Sequence, residues 1–265
     1  MKEQSQMKKI ILVLILVLVA SYFFFNRTPA LTTSISLEEH TQDTLVLVNR
    51  DYALAHDPKN LTAIPKNIAQ NVQIREHYTV QQTMLAPLKQ LFAAARADGI
   101  NHFTINSAYR SGRAQQQLFD NRGEAYAQPR GHSEHQTGLS LDIGSTQGTM
   151  DATAEGAWLA QHAHEYGFIL RYPQGKEAIT GIAYEPWHFR YVGLPHSQLM
   201  YEKNWTLEEY LENLQSTQKY TKKIADKHYF VQYTTAQKTA RIPDATSVSV
   251  SQDNRGGKII TTFLN

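Results

Sequence analysis

The sequence predicts an α+β fold. An antiparallel sheet flanked by helices is expected to follow an N-terminal membrane helix and to precede a small β-type appendage. Three observations predict it. Short runs such as Leu139–Asp142 and Trp187–Val192 alternate their side chains with the two-residue period of a strand. Between such runs, Met84, Leu85, Leu88, Leu91, Phe92 and Ala95 recur at helical spacing. At the N-terminus, an apolar run from Ile10 to Phe25 is broken only by Ser21.

The apolar run follows Lys2, Lys8 and Lys9. At ~1.5 Å per residue it spans about 24 Å as a helix, a little short of a ~30 Å hydrocarbon core. Snorkelling lysines and the aromatics from Tyr22 to Phe25 close that gap. Residues 1–25 are therefore expected to be a cytoplasmic N-region and signal anchor, with the rest of the chain beyond the membrane. A cleaved, secreted form is the rival reading. Against it, the apolar run continues past Ala20 and no A-x-A pattern follows.

The elements then follow in order. Residues 26–41 are polar and read as a linker. Leu45–Val48 is a short β-type run, followed by a loop region through Pro65. A helix is expected within Thr79–Ala97, with Pro87 as a possible kink or later start and Gly99 as its end. Phe103–Asn106 reads as a strand that delivers Ser107-Ala108-Tyr109-Arg110 to its end, and a short helix runs on through Leu118. A loop from Gly131 enters the strand of Leu139 and Leu141. A helix over 154–166 and strands over 168–172 and 187–192 follow. In the last of these, His188 and Arg190 share one face. Thr206-Leu207-Glu208-Glu209 is a capping-box pattern opening a helix that ends near Gln215. From 217 to 265 the chain turns basic and strand-like, with a turn-rich segment at 252–257, and reads as the β-type appendage.

Composition limits the function. The 265 residues suffice for one sizeable domain and an appendage, and 42% hydrophobic against 19% charged residues permits a packed core. A net charge of +2 argues against nucleic-acid binding. With no cysteine there is no disulfide, no thiolate ligand and no lipidated cysteine, so a metal would have to rely on His, Asp and Glu.

Two phrases carry such ligands. Ser133-Glu134-His135-Gln136-Thr137-Gly138-Leu139-Ser140-Leu141-Asp142 places a histidine and an aspartate on either side of a glycine turn. Glu185-Pro186-Trp187-His188-Phe189-Arg190-Tyr191 holds an acid and a base apart by a restricted backbone. His135, Asp142 and His188 offer a mixed nitrogen and oxygen set for one zinc ion, with Glu185 as a spare carboxylate. On spacing alone, Asp142 as a strand-end cap and His188 as a core residue stay open. His40, His56, His77, His102, His196 and His228 read as structural or surface residues, and there is no H-E-x-x-H helix.

These phrases, with Ser107-Ala108-Tyr109-Arg110, Gly131 and the run through Val192-Gly193, resemble the VanY-type zinc D,D-carboxypeptidases of bacterial cell-wall metabolism and glycopeptide resistance. The resemblance covers residues 42–216 and departs at Ala108, where the family often has glycine. It implies zinc held by His135, Asp142 and His188, with Glu185 as the catalytic carboxylate and Arg110 as a second electrophile. It implies Ser133 and Gln115 as substrate contacts, with Trp187 either a pocket wall or core. The implied substrates are peptidoglycan stem peptides or lipid-linked precursors ending in D-alanine. An L,D-carboxypeptidase trimming tetrapeptides and a non-catalytic wall-binding module are the alternatives. Glu134, adjacent to His135, would point elsewhere in an extended loop and is assigned no role. A serine mechanism at Ser216-Thr217-Gln218-Lys219 lacks the S-D-N and K-T-G partners that such enzymes need.

Overall fold

The computed structural model describes residues 29–123 and 127–264. The membrane helix expected over 1–25 lies outside them. Among the described residues no helix is long and apolar enough to cross a membrane.

In chain order, β1 (Thr33–Ser36), β2 (Leu61–Ala63), β3 (Val72–Ile74) and β4 (Thr79–Gln81) precede the long helix α1 (Gln82–Ala97). β5 (Phe103–Ser107), α2 (Gly112–Arg122), β6 (Ser140–Ser145), α3 (Ala154–His162), β7 (Phe168–Leu170), the short α4 (Glu177–Thr180) and β8 (His188–Tyr191) follow. Then α5 (His196–Lys203) and α6 (Leu207–Thr217) lead into β9 (Lys219–Ile224), β10 (Lys227–Thr234), β11 (Thr239–Ile242), β12 (Ser247–Gln252) and β13 (Lys258–Leu264).

The central sheet has the order β3-β5-β6-β8-β7. The pairs β5/β6, β6/β8 and β7/β8 are antiparallel, as expected, but β3 runs parallel to β5. The parallel pair follows from connectivity. Helix α1 lies between β3 and β5 in the chain, and such a crossover returns the strand in the same direction. Met84, Leu88, Leu91, Phe92 and Ala95 of α1 are buried in one cluster with Leu139, Leu141, Ile143 and Phe189. Strand alternation then turns Asp142 and His188 to the opposite face.

Several boundaries differ from expectation for local reasons. Thr79–Gln81 is not helical; it pairs with β2, and the Gln81 amide donates to the Gly138 carbonyl at 2.8 Å. The helix expected over 154–166 tightens into a 3-10 turn at Ala163–Tyr166. The capping box at Thr206 and Glu209 forms as expected, and α6 continues to Thr217. Leu45–Val48 is buried but belongs to no strand.

The largest difference concerns the linker read at 26–41. Its residues Thr33–Ser36 form β1, paired antiparallel with β11. Leu37 is buried against Ile242, Val250 and Ile260. The C-terminal lobe therefore combines the four-stranded sheet β12-β13-β10-β9 with a two-stranded ribbon supplied by both ends of the described chain. Ile35 and Leu37 alternate with serine, a strand pattern whose partner lies some two hundred residues away. Helix α6 joins the lobes. Its Tyr210, Leu211 and Leu214 share a core cluster with Ile169 and Val192 on one side and Val231 and Ile259 on the other.

Candidate metal centre and cleft

Strand register builds the centre. Asp142 on β6 lies between Ser107 on β5 and His188 on β8. His135 arrives on a 3-10 turn, Glu134–Thr137, that ends at Gly138 in the left-handed region, φ 67°. A β-carbon at Gly138 would also stand 2.8 Å from Leu61 Cδ2, so the turn needs glycine twice over.

The turn brings His135 Nε2 to 3.4 Å from Asp142 Oδ2, while His188 Nδ1 lies 3.1 Å from Asp142 Oδ1. One donor atom from each of these three residues lies within 4.8 Å of the others. The second nitrogen of each ring is already engaged. His135 Nδ1 meets the Ala108 carbonyl at 2.7 Å, and His188 Nε2 meets Glu134 Oε2 at 3.3 Å. Each imidazole thus keeps one nitrogen for the shared point. Two imidazoles and a carboxylate are a donor set that zinc accepts, and three protein ligands leave a further position open.

The electrostatics agree with that fit. Burial opposes the charged form of Asp142, but hydrogen bonds from both histidines overcome it and hold the carboxyl below its ordinary value. Burial also opposes a charged His188, yet its hydrogen bonds to Asp142 and Glu134 prevail and push it up to about 9. A buried point that draws positive charge so strongly suits a divalent cation.

The other expected site residues surround this point. The Glu185 carboxylate reaches to 3.8 Å from His188 Nδ1, and its side chain keeps 29% of its exposure. Burial raises its pKa, the Asp142 and Glu134 charges add to that, and His188 opposes them. Arg110 donates from its backbone to the His135 carbonyl at 3.1 Å. Its guanidinium donates to Gln115 Oε1 at 2.9 Å and Ser107 Oγ at 3.2 Å. Gln115 is buried and its Nε2 donates to the Gln128 carbonyl, so its amide supports Arg110. Ser133 and Trp187 line the cleft, and Trp187, 41% exposed, is a wall rather than core. The cleft has a volume of about 350 Å³ and is also lined by Asn49, Arg50, Thr180, Gly181, Ile182 and Ala183. Ser216 is exposed near the end of α6 and does not line it.

Glu134 overturns its expected orientation. The loop is a 3-10 turn rather than extended, so the side chain points inward and is completely buried. Its Oε1 accepts from Arg171 Nε at 2.7 Å and Arg190 Nη1 at 2.8 Å, and its Oε2 accepts from Ser140 Oγ at 3.0 Å. A trace existed in the sequence: Arg190 shares a face with His188, and Arg171 directly follows the apolar strand β7. What they paired with was not visible there.

Comparison with known proteins agrees with this geometry. The family model for D-alanyl-D-alanine carboxypeptidase (VanY) matches residues 77–194, which contain every residue of the centre. A D-alanyl-D-alanine carboxypeptidase of Enterococcus faecium is 37% identical over 239 residues, covering 87% of this chain and 78% of its own. The solved vancomycin resistance D,D-dipeptidase VanXYg, in complex with a D-Ala-D-Ala phosphinate analogue, superposes with a TM-score of 0.74 at 29% identity, covering 87% of this chain and 98% of its own. A glutamate-to-alanine mutant of the D,D-pentapeptidase VanY from a VanB-type cassette, in complex with Zn(II), superposes at 0.55 with 31% identity over 63% of this chain and 98% of its own. With the phrases, the register and these relatives in agreement, the chain belongs to the VanY family of D-alanyl-D-alanine carboxypeptidases.

Proposed function

We propose that this protein is a zinc carboxypeptidase that removes the terminal D-alanine from peptidoglycan pentapeptide stems or their lipid-linked precursors. The observation that carries the reading is the meeting of His135 Nε2, the Asp142 carboxylate and His188 Nδ1 at one point of the cleft, with Glu185 beside it.

His135, Asp142 and His188 would hold the zinc, which when bound supplies Lewis acidity towards a water molecule and a carbonyl oxygen. The chain's own residues do the rest. Glu185, partly buried and open to the cleft, accepts the proton of the attacking water and returns it to the departing amine of D-alanine. Its raised pKa suits both halves of that exchange. Arg110 presents a fixed positive charge to the developing oxyanion or to the substrate's terminal carboxylate. Gln115 and Ser107 hold that guanidinium in place, so it needs little reorganisation on binding. Trp187 supplies an apolar wall for the peptide, and Ser133 a hydroxyl on the cleft surface.

We place the domain outside the cytoplasmic membrane, held by the N-terminal apolar run behind Lys2, Lys8 and Lys9. Protease treatment of intact spheroplasts should degrade the domain; full protection would remove that placement.

Mass spectrometry of defined peptides tests the activity. A pentapeptide should lose a single D-alanine, the tetrapeptide should persist, and a chelator should stop the reaction until zinc is restored. Conversion of tetrapeptide to tripeptide would instead establish the L,D specificity. Binding to sacculi with no alanine release, unaffected by Glu185→Gln, would establish a wall-binding module.

A further inference from the structure

The reaction proposed above leaves the buried carboxylate of Glu134 unused, yet the protein surrounds it with donors. Glu134 accepts four hydrogen bonds: from Arg171 and Arg190 on Oε1, and from Ser140 and His188 on Oε2. The arginines are fully occupied elsewhere as well. Arg171 donates to both Glu208 oxygens, at 2.9 and 2.6 Å. Arg190 donates to the carbonyls of Thr44 at 3.1 Å and Val46 at 2.9 Å, and its Nε to its neighbour Tyr191. Glu208 in turn accepts from Asn49 Nδ2 at 3.3 Å, and the Asn49 carbonyl meets His132 Nδ1 at 2.8 Å on the cleft wall.

Such a network is a poor way to gain stability, because apolar residues of similar volume usually serve as well or better. Its geometry suggests another use. The two histidines of the centre face the shared point through different nitrogens. His135 is fixed by a backbone carbonyl, that of Ala108, whereas His188 is fixed only by a side chain, that of Glu134.

We propose that Glu134 is a positioning residue for the metal centre: its Oε2 holds the Nε2–H of His188, turning Nδ1 towards the cation, while Arg171 and Arg190 anchor its Oε1. The proposal rests on the zinc reading of the site. It extends that reading to a residue outside the ligand set.

Glu134→Gln separates this role from packing. An amide of nearly the same shape has one accepting oxygen, which the two arginines claim. Its NH2 then faces His188, whose Nε2 must accept rather than donate. The ring proton moves to Nδ1, the nitrogen the metal needs. Ligand-orienting partners of this kind typically contribute about 10–100-fold to metal affinity.

The experiment is a zinc titration of the full-length protein by chelator competition, beginning with the wild type. A wild type that binds no zinc defeats the zinc reading itself, and this inference with it. A wild type that binds zinc, with Glu134→Gln folded and weaker by about 10-fold or more, supports the inference. Equal affinity in the two proteins overturns it while the zinc reading stands. So does a lowered Tm without any change in affinity, the result expected of a purely structural residue. Histidine ¹⁵N NMR of the zinc-loaded wild type decides the matter even where the variant fails to fold. His188 should carry its proton on Nε2, slow to exchange; a proton on Nδ1 overturns the proposal.

Discussion

His188 and His196 are equally buried, each 3% exposed, and stand on opposite sides of the turn between β8 and α5. Their surroundings differ in kind. His188 lies between two carboxylates, those of Asp142 and Glu134, and is pushed up to about 9. His196 lies between hydroxyls. Its Nδ1 meets Tyr210 Oη at 2.6 Å and its Nε2 meets Thr261 Oγ1 at 2.9 Å, and burial pushes it down to about 3. Burial alone drives a histidine neutral; only converging carboxylates make one attract positive charge. The first arrangement suits a metal ligand. The second ties α5 and α6 to β13, so a neutral imidazole holds the two lobes together.

The contrast can be broken most severely at Asp142. Asp142→Asn removes the charge shared by His135 and His188, and D-alanine release should fall to the level of metal-free protein, with zinc lost on dialysis. Full zinc occupancy after dialysis, with undiminished turnover, would detach Asp142 from the site. Next in size is Glu185→Gln. It should lower kcat by about 10²–10⁴-fold while zinc content stays at the wild-type level. Near-normal kcat would remove Glu185 from the proton transfer.

At the other histidine the expected effects concern stability. His196→Ala leaves Thr261 Oγ1 without its imidazole partner, leaves Tyr210 only its bond to Tyr220, and opens a cavity, for a loss of about 2–4 kcal/mol. Tm should drop while kcat/KM at a temperature well below it is unchanged; a large fall in kcat/KM would mean the lobe junction shapes the cleft.

The smallest effect is the pH dependence of His196. Its folded value is about 3, below the ordinary 6.5, so between these values the unfolded chain binds a proton that the folded chain refuses. Its contribution is therefore fully present above pH ~6.5 and is lost as pH falls towards ~3, by about 1 kcal/mol between pH 7 and 5.5. Denaturant melts at those two values, with His196→Gln alongside, measure it. The variant should lose less stability on acidification than the wild type, and identical losses would show that His196 is not buried neutral. The opposite slope at His188 would be masked by bound zinc, which makes His196 the cleaner of the two to titrate.

Legibility followed the range of the interactions. His135, Asp142 and His188 were legible as candidate donors because strand alternation and a glycine turn are local properties, and the family resemblance turned the candidates into an implied ligand set. Trp187 was readable only as wall or core, since its exposure depends on what closes the cleft. Gln115 was expected to contact substrate; it lines the cleft, with its amide held by Arg110 and Gln128, partners that no spacing rule pairs with it. The segment 26–41 looked like a linker because its polar character is local, while the strand that pairs with it is at the other end of the chain.

By itself, then, the sequence determined which chemistry was available. Without cysteine, it limited any metal site to oxygen and nitrogen donors, and its phrases, through their family resemblance, implied His135, Asp142 and His188 with the Glu185 carboxylate beside them. Tertiary structure decided how those groups are held. It placed Asp142 between Ser107 and His188 by register, made one buried histidine a magnet for charge and the other neutral, and folded Glu134 inward onto Arg171 and Arg190. Propensity and periodicity act over a few residues. The energy of a buried charge depends on every group that surrounds it, and those groups come from distant parts of the chain.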